Sequence, residues 1–576
     1  MLGNEAVARG AYEAGVTVAT AYPGTPSTEI TEHIARYDEI YAEWSPNEKV
    51  AMEVAYGAAV AGARSIVSMK HVGLNVAADP LFSAAYAGVN GGMVIVVADD
   101  PAMHSSQNEQ DSRYYAVSAH VPMLEPSDSE EAKEFVKEAF VLSEKYDTPV
   151  FLRTTTRLAH SQSFVELCDR ADVKVKKYEK DITKYTLMPS TAKIRHIAVE
   201  KRENELKRDI ENSPLNFVYE GDKKIGVVTS GVVYQYVREA LPDASVFKLG
   251  CVYPLPVEKI RKFAESVGKL IVVEELEPVI ENALKANGIP CEGKKYFGVQ
   301  GELSVGRIKT ALSGESFSYK NNVVNVPVRP PVMCAGCPHR GVFYVLKKLG
   351  CRVISDIGCY TLGAQSPLSA VDTVLCMGAS LGMAQGFEHA LGRENTKNVV
   401  AVIGDSTFIH SGITGLIDAV YNKTALTLVI LDNSTTGMTG HQEHPATGKT
   451  IKGEDTYALN LEDAVKASGV NFVETVDAYD MKAVEKAIKE ACSYDGVSVV
   501  IAKRPCALKI RLAEKPYEIR DCKKCGKCLK IGCPAIQKNP DGSACIRHEL
   551  CVGCGVCRDM CAFGAIVKAV SYTHLT

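Results

Sequence analysis

The sequence predicts an α/β protein of several domains built on parallel sheets, closed by a small cysteine-rich domain. Three observations predict it. Short apolar runs alternate with small-residue helical stretches along most of the chain; two of these runs end in Gly404-Asp405 and Asp432-Asn433; and nine of the nineteen cysteines fall between Cys522 and Cys561. Strands that alternate with helices form right-handed crossover units, which bring successive strand ends to one edge of a parallel sheet. A chain of 576 residues, 46% of them hydrophobic, can fill several cores, and its length suggests about three to five domains.

Composition also excludes classes. A formal net charge of -4 on so long a chain leaves no electrostatic footprint for nucleic acid or an anionic membrane. No apolar run approaches the ~18 residues of a membrane helix, and Met1-Leu-Gly-Asn-Glu lacks the features of a cleaved signal. The expected location is the cytosol. There the cysteines serve better as metal ligands than as disulfides.

In chain order, Ala21-Tyr-Pro-Gly-Thr25-Pro-Ser-Thr reads as a turn-rich loop, with Ser27 or Thr28 capping a helix from Glu29 to Tyr37. Ile40 to Glu43 reads as a strand, and Glu48 stands at the start of a helix running to Ala63. Ser65 to Met69 and Met93 to Ala98 add strands. From Glu166 to Asn216 the chain becomes charged with mixed sign, the pattern of a linker with a solvated surface helix. Strands at Ile225 to Thr229, Ala244 to Leu249 and Leu270 to Glu274 then mark a further α/β region.

Val399 to Ile403, a helix over Gly415 to Tyr421 and Leu426 to Leu431 form a strand, crossover and parallel strand, so Asp405 and Asn433 should face one crevice. A carboxylate, an amide oxygen and a backbone carbonyl suit Mg²⁺, which prefers octahedral oxygen ligands shared with phosphate. This pattern resembles the thiamine diphosphate signature, with Asp405, Asn433 and the Thr435 carbonyl in the Mg²⁺ roles, although Ser406 stands where that signature usually has Gly. Gly378 and Ser380, in Gly378-Ala-Ser-Leu-Gly-Met-Ala-Gln-Gly386, open a stretch where a cofactor can approach the backbone. Thiamine chemistry needs one carboxylic acid beside the aminopyrimidine ring, to favour the tautomer that removes the reactive proton. Glu48 resembles that residue in position, and Glu53 is the substitute.

Cys334-x-x-Cys337 spacing fits a metal site or a redox pair. With Cys359 and Cys506 it makes four thiols, similar to the proximal cluster site of 2-oxoacid:ferredoxin oxidoreductases. Farther on, Cys522-x2-Cys525-x2-Cys528-x4-Cys533-Pro and Cys551-x2-Cys554-x2-Cys557-x3-Cys561 follow the bacterial ferredoxin pattern of two 4Fe-4S clusters. There the last Cys of each run ligates the other cluster, which groups Cys522, Cys525 and Cys528 with Cys561, and Cys551, Cys554 and Cys557 with Cys533. The first run has one residue more than usual before its last Cys, and Ala562 replaces the usual Pro. Zinc also takes Cys-x-x-Cys pairs, but two triplets each with a distant fourth Cys favour clusters. Cys545 is left over.

The whole order resembles the alpha subunits of indolepyruvate ferredoxin oxidoreductases, within the thiamine diphosphate-dependent 2-oxoacid:ferredoxin oxidoreductase family. The likeness runs from Leu2 to about Val570 and includes Tyr22-Pro-Gly-Thr25-Pro-Ser27, Lys70-His71-Val-Gly-Leu-Asn75 and Asp432-Asn-Ser-Thr-Thr-Gly-Met-Thr-Gly-His. It implies two thiamine-binding doubly wound parallel-sheet domains, a transketolase C-terminal-like α/β domain and a bacterial-type 2x4Fe-4S ferredoxin domain. The corresponding spans are 1–165 for the pyrimidine domain, 166–215 for the linker, 216–325 for the third domain, 326–515 for the diphosphate domain, 516–570 for the ferredoxin and 571–576 for a non-native tail. The resemblance further implies oxidative decarboxylation of an arylpyruvate with coenzyme A and ferredoxin, a smaller beta subunit, a heterotetramer of two alpha and two beta subunits, Thr25 against cofactor or substrate, and His71 and His410 as proton donors. Pyruvate or a branched oxo acid as substrate, or a pure iron-sulfur carrier with degenerate thiamine domains, are the alternatives.

Overall fold

In the computed structural model, residues 1–313, 330–510 and 514–569 are described. The expected boundary between the third and diphosphate domains, at 325/326, and the proposed tail 571–576 lie outside them. The chain divides into two compact units, Met1–Asn325 and Val326–Thr576.

In the first unit, β1 (Val18–Ala21), β2 (Tyr41–Trp44), β3 (Ser65–Lys70), β4 (Met93–Asp99), β5 (Met123–Leu124) and β6 (Val150–Thr155) alternate with helices, as the sequence predicts. Beyond them come β7 (Phe217–Tyr219), β8 (Asp222–Ser230), β9 (Ala244–Leu249), β10 (Cys251–Tyr253) and β11 (Lys269–Val273). One sheet has the order β10-β5-β6-β4-β3-β1-β2 and is parallel except for β10. The other has the order β11-β8-β9-β7, with only β7 antiparallel. The central strands β3, β4 and β6 are buried throughout, the mark of a sheet covered on both faces.

The segment read as a charged linker holds a 22-residue helix, Pro189–Ile210. Val199, Leu206 and Ile210 give it a narrow buried seam, and the buried Arg202 donates to the Asp147 carbonyl at 3.0 Å. A stripe of three apolar side chains inside a charged run is too sparse for composition to reveal.

At the carboxyl end of β4 lies a buried ion network. Arg113 donates to Asp111 and to Glu274, each at 2.6 Å, while Arg153 reaches Asp99 at 2.7 Å and also pairs with Glu125. Both arginines are 2% exposed. Their charges are matched inside the protein, the condition under which buried ions persist.

The second unit contains β12 (Arg352–Ser355), β13 (Thr373–Val374), β14 (Val399–Gly404), β15 (Thr427–Asp432), β16 (Phe472–Asp477) and β17 (Ser498–Lys503), in the parallel order β13-β12-β14-β15-β17-β16. Two antiparallel pairs complete it, β18 (Tyr517–Ile519) with β21 (Ile566–Lys568) and β19 (Ile536–Lys538) with β20 (Ala544–Ile546). The cysteine-rich segment does not stand apart. Ile531, Val556 and Met560 share a core with Val342, Phe343 and Val400, and Arg340 donates to the Ile531 carbonyl at 3.0 Å. Among the described residues no helix is long and apolar enough to cross a membrane.

Candidate functional site

Pairing of Gly404 with Leu431 aligns the ends of β14 and β15, so Asp405 and Asn433 emerge side by side. Gly404 is required because a Cβ there would lie 2.5 Å from the Tyr360 ring. Asp405 is 3% exposed and opens a helical turn that continues as a π-helical turn over Phe408–Gly412. Such turns re-aim side chains at functional sites, and this one carries His410.

Three oxygens converge beside Asp405. The Asn433 amide oxygen is 3.3 Å from Asp405 Oδ1 and 2.7 Å from the Thr435 carbonyl oxygen. Turned over, the amide would bring its nitrogen within donating reach of both; as placed, that nitrogen lies 3.4 Å from Nε2 of His339. Burial lowers the His339 pKa to about 4, which keeps the ring neutral. Oxygens so placed repel one another unless a cation binds them. Adjacent ligands of an octahedral Mg²⁺, with bonds of about 2.0–2.1 Å, stand about 2.9 Å apart. The two separations bracket that edge, so the residues fit Mg²⁺. On its other side Asp405 Oδ2 faces His444 Nε2 at 3.2 Å. Burial pushes the Asp405 carboxyl up, and the facing His444 holds it below the usual carboxylate range.

Gly378 and Ser380 begin the helix Ala379–Leu391, where backbone N–H groups are open to an anion. Asp356 takes two of these, from Gly378 at 2.7 Å and Ser380 at 3.0 Å, and the buried Ser380 hydroxyl makes no well-directed hydrogen bond. His410 is buried, its Nδ1 2.9 Å from the Ser411 hydroxyl.

The cysteines gather in three sets. Burial, with smaller contributions from neighbouring thiols, raises Cys337 to about 12 and Cys359 to about 11; the thiols are Cys359 and Cys334 for the first and Cys334 and Cys506 for the second. Cys528 is raised by burial, then by Cys522, Cys525 and Cys561. Cys557 is raised by burial, then by Cys554, Cys533 and Cys551, with Cys528 also within reach. Neighbouring thiols of this kind, with the Arg340 guanidinium beside Cys334 and Cys337 favouring their charged form, suit a metal that binds them as thiolates. Tyr479 stands between two sets, for its phenol is raised by burial and then by Cys554 and Cys337. Its hydroxyl donates to the Gly336 carbonyl at 2.6 Å.

In the first unit Glu48 begins the helix Glu48–Ala61 behind the Asn47 cap and is 5% exposed. Gly73 makes room for it, since a Cβ there would meet Glu48 Oε1 at 2.4 Å. Glu53 is exposed and paired with Lys49, which leaves Glu48 as the buried carboxyl of the two. Thr25 lies half-buried after β1, and His71 lies 1% exposed after β3, neither ring nitrogen making a well-directed hydrogen bond. Four residues escaped the sequence reading. Lys70, which burial lowers to about 8, sits beside the Thr25 loop, its Cβ 3.1 Å from where a Cβ on Gly24 would be. His339, His441 and His444 are the others; their proximity to Cys337-Pro and their i, i+3 spacing were visible signals.

Comparisons with known proteins agree with this geometry. Residues 356–502 match the family model described as the thiamine pyrophosphate enzyme C-terminal TPP binding domain, and residues 9–212 match that of the pyruvate flavodoxin/ferredoxin oxidoreductase thiamine diphosphate-binding domain. Fold and family models together define a thiamine diphosphate-dependent oxidoreductase. An indolepyruvate oxidoreductase subunit IorA from Archaeoglobus fulgidus is 44% identical over 99% of this chain and 97% of its own length; one from Methanothermobacter thermautotrophicus is 42% identical over 98% and 96%. A 2-oxoglutarate synthase subunit KorB of Archaeoglobus fulgidus is 32% identical, over 33% of this chain and 74% of its own. The chain belongs to the indolepyruvate oxidoreductase IorA family.

Proposed function

We propose that this chain, with a smaller beta subunit in a heterotetramer of two of each, oxidatively decarboxylates arylpyruvates such as indole-3-pyruvate. An arylpyruvate and coenzyme A give the aryl-acetyl-CoA, CO₂, a proton and two electrons, which reduce ferredoxin. The supporting observation is the convergence of the Asp405, Asn433 and Thr435 oxygens beside a four-thiol set: the Cys506 N–H donates to the Asn433 carbonyl at 2.9 Å.

On this reading Asp405, Asn433 and the Thr435 carbonyl hold Mg²⁺, which anchors a diphosphate. Bound thiamine diphosphate supplies the nucleophilic carbon and electron sink. Glu48 holds and returns a proton at its carboxyl oxygen, a task that burial at a helix start suits. Thr25 and Ser380 offer hydroxyls to cofactor or substrate, and His71 and His410 are the proton donors. The C-terminal sets form the proposed ferredoxin domain with two 4Fe-4S clusters, and Cys334, Cys337, Cys359 and Cys506 hold a third; such clusters supply one-electron steps. His444 orients Asp405 as outer partners orient metal ligands.

The test is ferredoxin reduction by the purified two-subunit protein, with coenzyme A and each of indole-3-pyruvate, pyruvate and a branched oxo acid. Indole-3-pyruvate should give the largest kcat/KM. A larger value for pyruvate would overturn the substrate assignment, and a protein that holds iron but no thiamine would be a carrier.

A further inference from the structure

The loop that follows Asn433 carries a histidine the proposed reaction does not use. Nε2 of His441 lies 3.5 Å from Sγ of Cys506, within hydrogen-bond reach of a sulfur. The loop holds the ring there at a conformational cost. His441 has a φ of +71°, in the left-handed region that a side-chain-bearing residue seldom adopts unless its surroundings fix it. They do so here. The His441 N–H donates to the Thr436 carbonyl at 3.1 Å and Thr436 N–H to the Gln442 carbonyl at 3.0 Å, while the Gln442 side chain accepts from Thr439 Oγ1 at 2.6 Å. Cys506 is fixed from the other side, through the Asn433 carbonyl.

We infer that His441 is a positioning and tuning residue for the four-thiol set, donating an N–H···S hydrogen bond to Cys506. The inference rests on the reading that Cys334, Cys337, Cys359 and Cys506 hold a cluster. A thiolate only accepts, so Nε2 carries the proton. Hydrogen bonds to the sulfurs of a cluster stabilise its reduced, more negative state and so raise its potential. One loop thereby touches both centres, His444 on the carboxylate of the metal site and His441 on the sulfur of the neighbouring set.

The experiment uses the full-length protein with its clusters, prepared without oxygen, and measures iron per chain and an EPR-monitored redox titration. Cys506→Ser identifies the signal of this set; if iron and every signal survive that change, the cluster reading itself has failed. With the signal identified, His441→Ala should keep the iron and move that one midpoint to a more negative potential. His441→Gln, whose amide nitrogen overlays Nε2, should restore most of the shift. An unchanged midpoint in His441→Ala overturns the inference. So does equal loss of iron in His441→Ala and His441→Gln, because the histidine would then be holding the loop together.

Discussion

Two buried polar clusters, one in each unit, are built on opposite terms. Around Arg113 and Arg153 the carboxylates of Asp99, Asp111, Glu125 and Glu274 each meet a guanidinium within the fold. Around Asp405 the matching is partial: His444 faces one carboxylate oxygen at 3.2 Å, while the Asn433 amide oxygen faces Asp405 and the Thr435 carbonyl at 3.3 and 2.7 Å and thiol neighbours thiol. The first cluster is complete as a piece of protein and serves the fold. On the proposed reading the second is completed by bound cations, and that difference separates a structural network from a site.

Changes at each cluster should therefore fail in different ways. The largest effect is expected from Asp405→Ala, which removes a charged ligand and should abolish thiamine diphosphate retention while leaving iron per chain unaltered; cofactor and iron analysis of one preparation decides it. Retained thiamine would place the metal elsewhere. Next, Glu48→Gln should bind the cofactor and lose about 10²–10⁴-fold in kcat, the usual worth of a positioned acid. Stopped-flow turnover with a matched Glu53→Gln control measures it, and full activity in Glu48→Gln would transfer the role.

In the matched network, Arg113→Met should strand two buried carboxylates and cost about 3–5 kcal/mol of stability, read as a lower denaturation midpoint. The per-molecule thiamine and iron of the folded fraction should not change. Loss of cofactor without loss of stability would erase the contrast between the clusters. The smallest effect concerns Glu275, which burial raises to about 7. Its folded pKa exceeds the unfolded value, so its contribution is complete below about pH 4.5 and is lost as pH rises through 7. Glu275→Gln should flatten that slope, worth on the order of 1–3 kcal/mol. An identical slope in the variant would assign it to another group.

The placement of Asp405 and Asn433 in the second unit was legible because each stands next to a strand end, and strand ends follow from apolar runs such as Val399 to Ile403. The cysteine sets were legible because their spacing is itself the chemistry. Neither advantage extends to His339, His441 or His444, whose contacts depend on where loops fold back. The network around Arg113 was hidden for another reason. Asp111, Glu274 and Glu275 look like ordinary surface charges until β4 and β11 are seen to end near one another, with Arg113 donating to Glu274 across 161 positions of sequence. The helix Pro189–Ile210 hid its three apolar contacts among charges in the same way.

The shared core of the second unit bears on how the protein is made. Ile531, Val556 and Met560, set among the cysteines, pack with Val342, Phe343 and Val400, so side chains that depend on the C-terminal cluster loops also complete the interior beneath the sheet carrying Asp405. If those cysteines hold clusters as proposed, a chain that leaves the ribosome before iron and sulfide are delivered would have that interior only half built. Cluster insertion would then be a maturation step for the sheet carrying Asp405 as well. Air that strips iron from the C-terminal cysteines should then register as premature melting of the diphosphate domain, long before any substrate is offered.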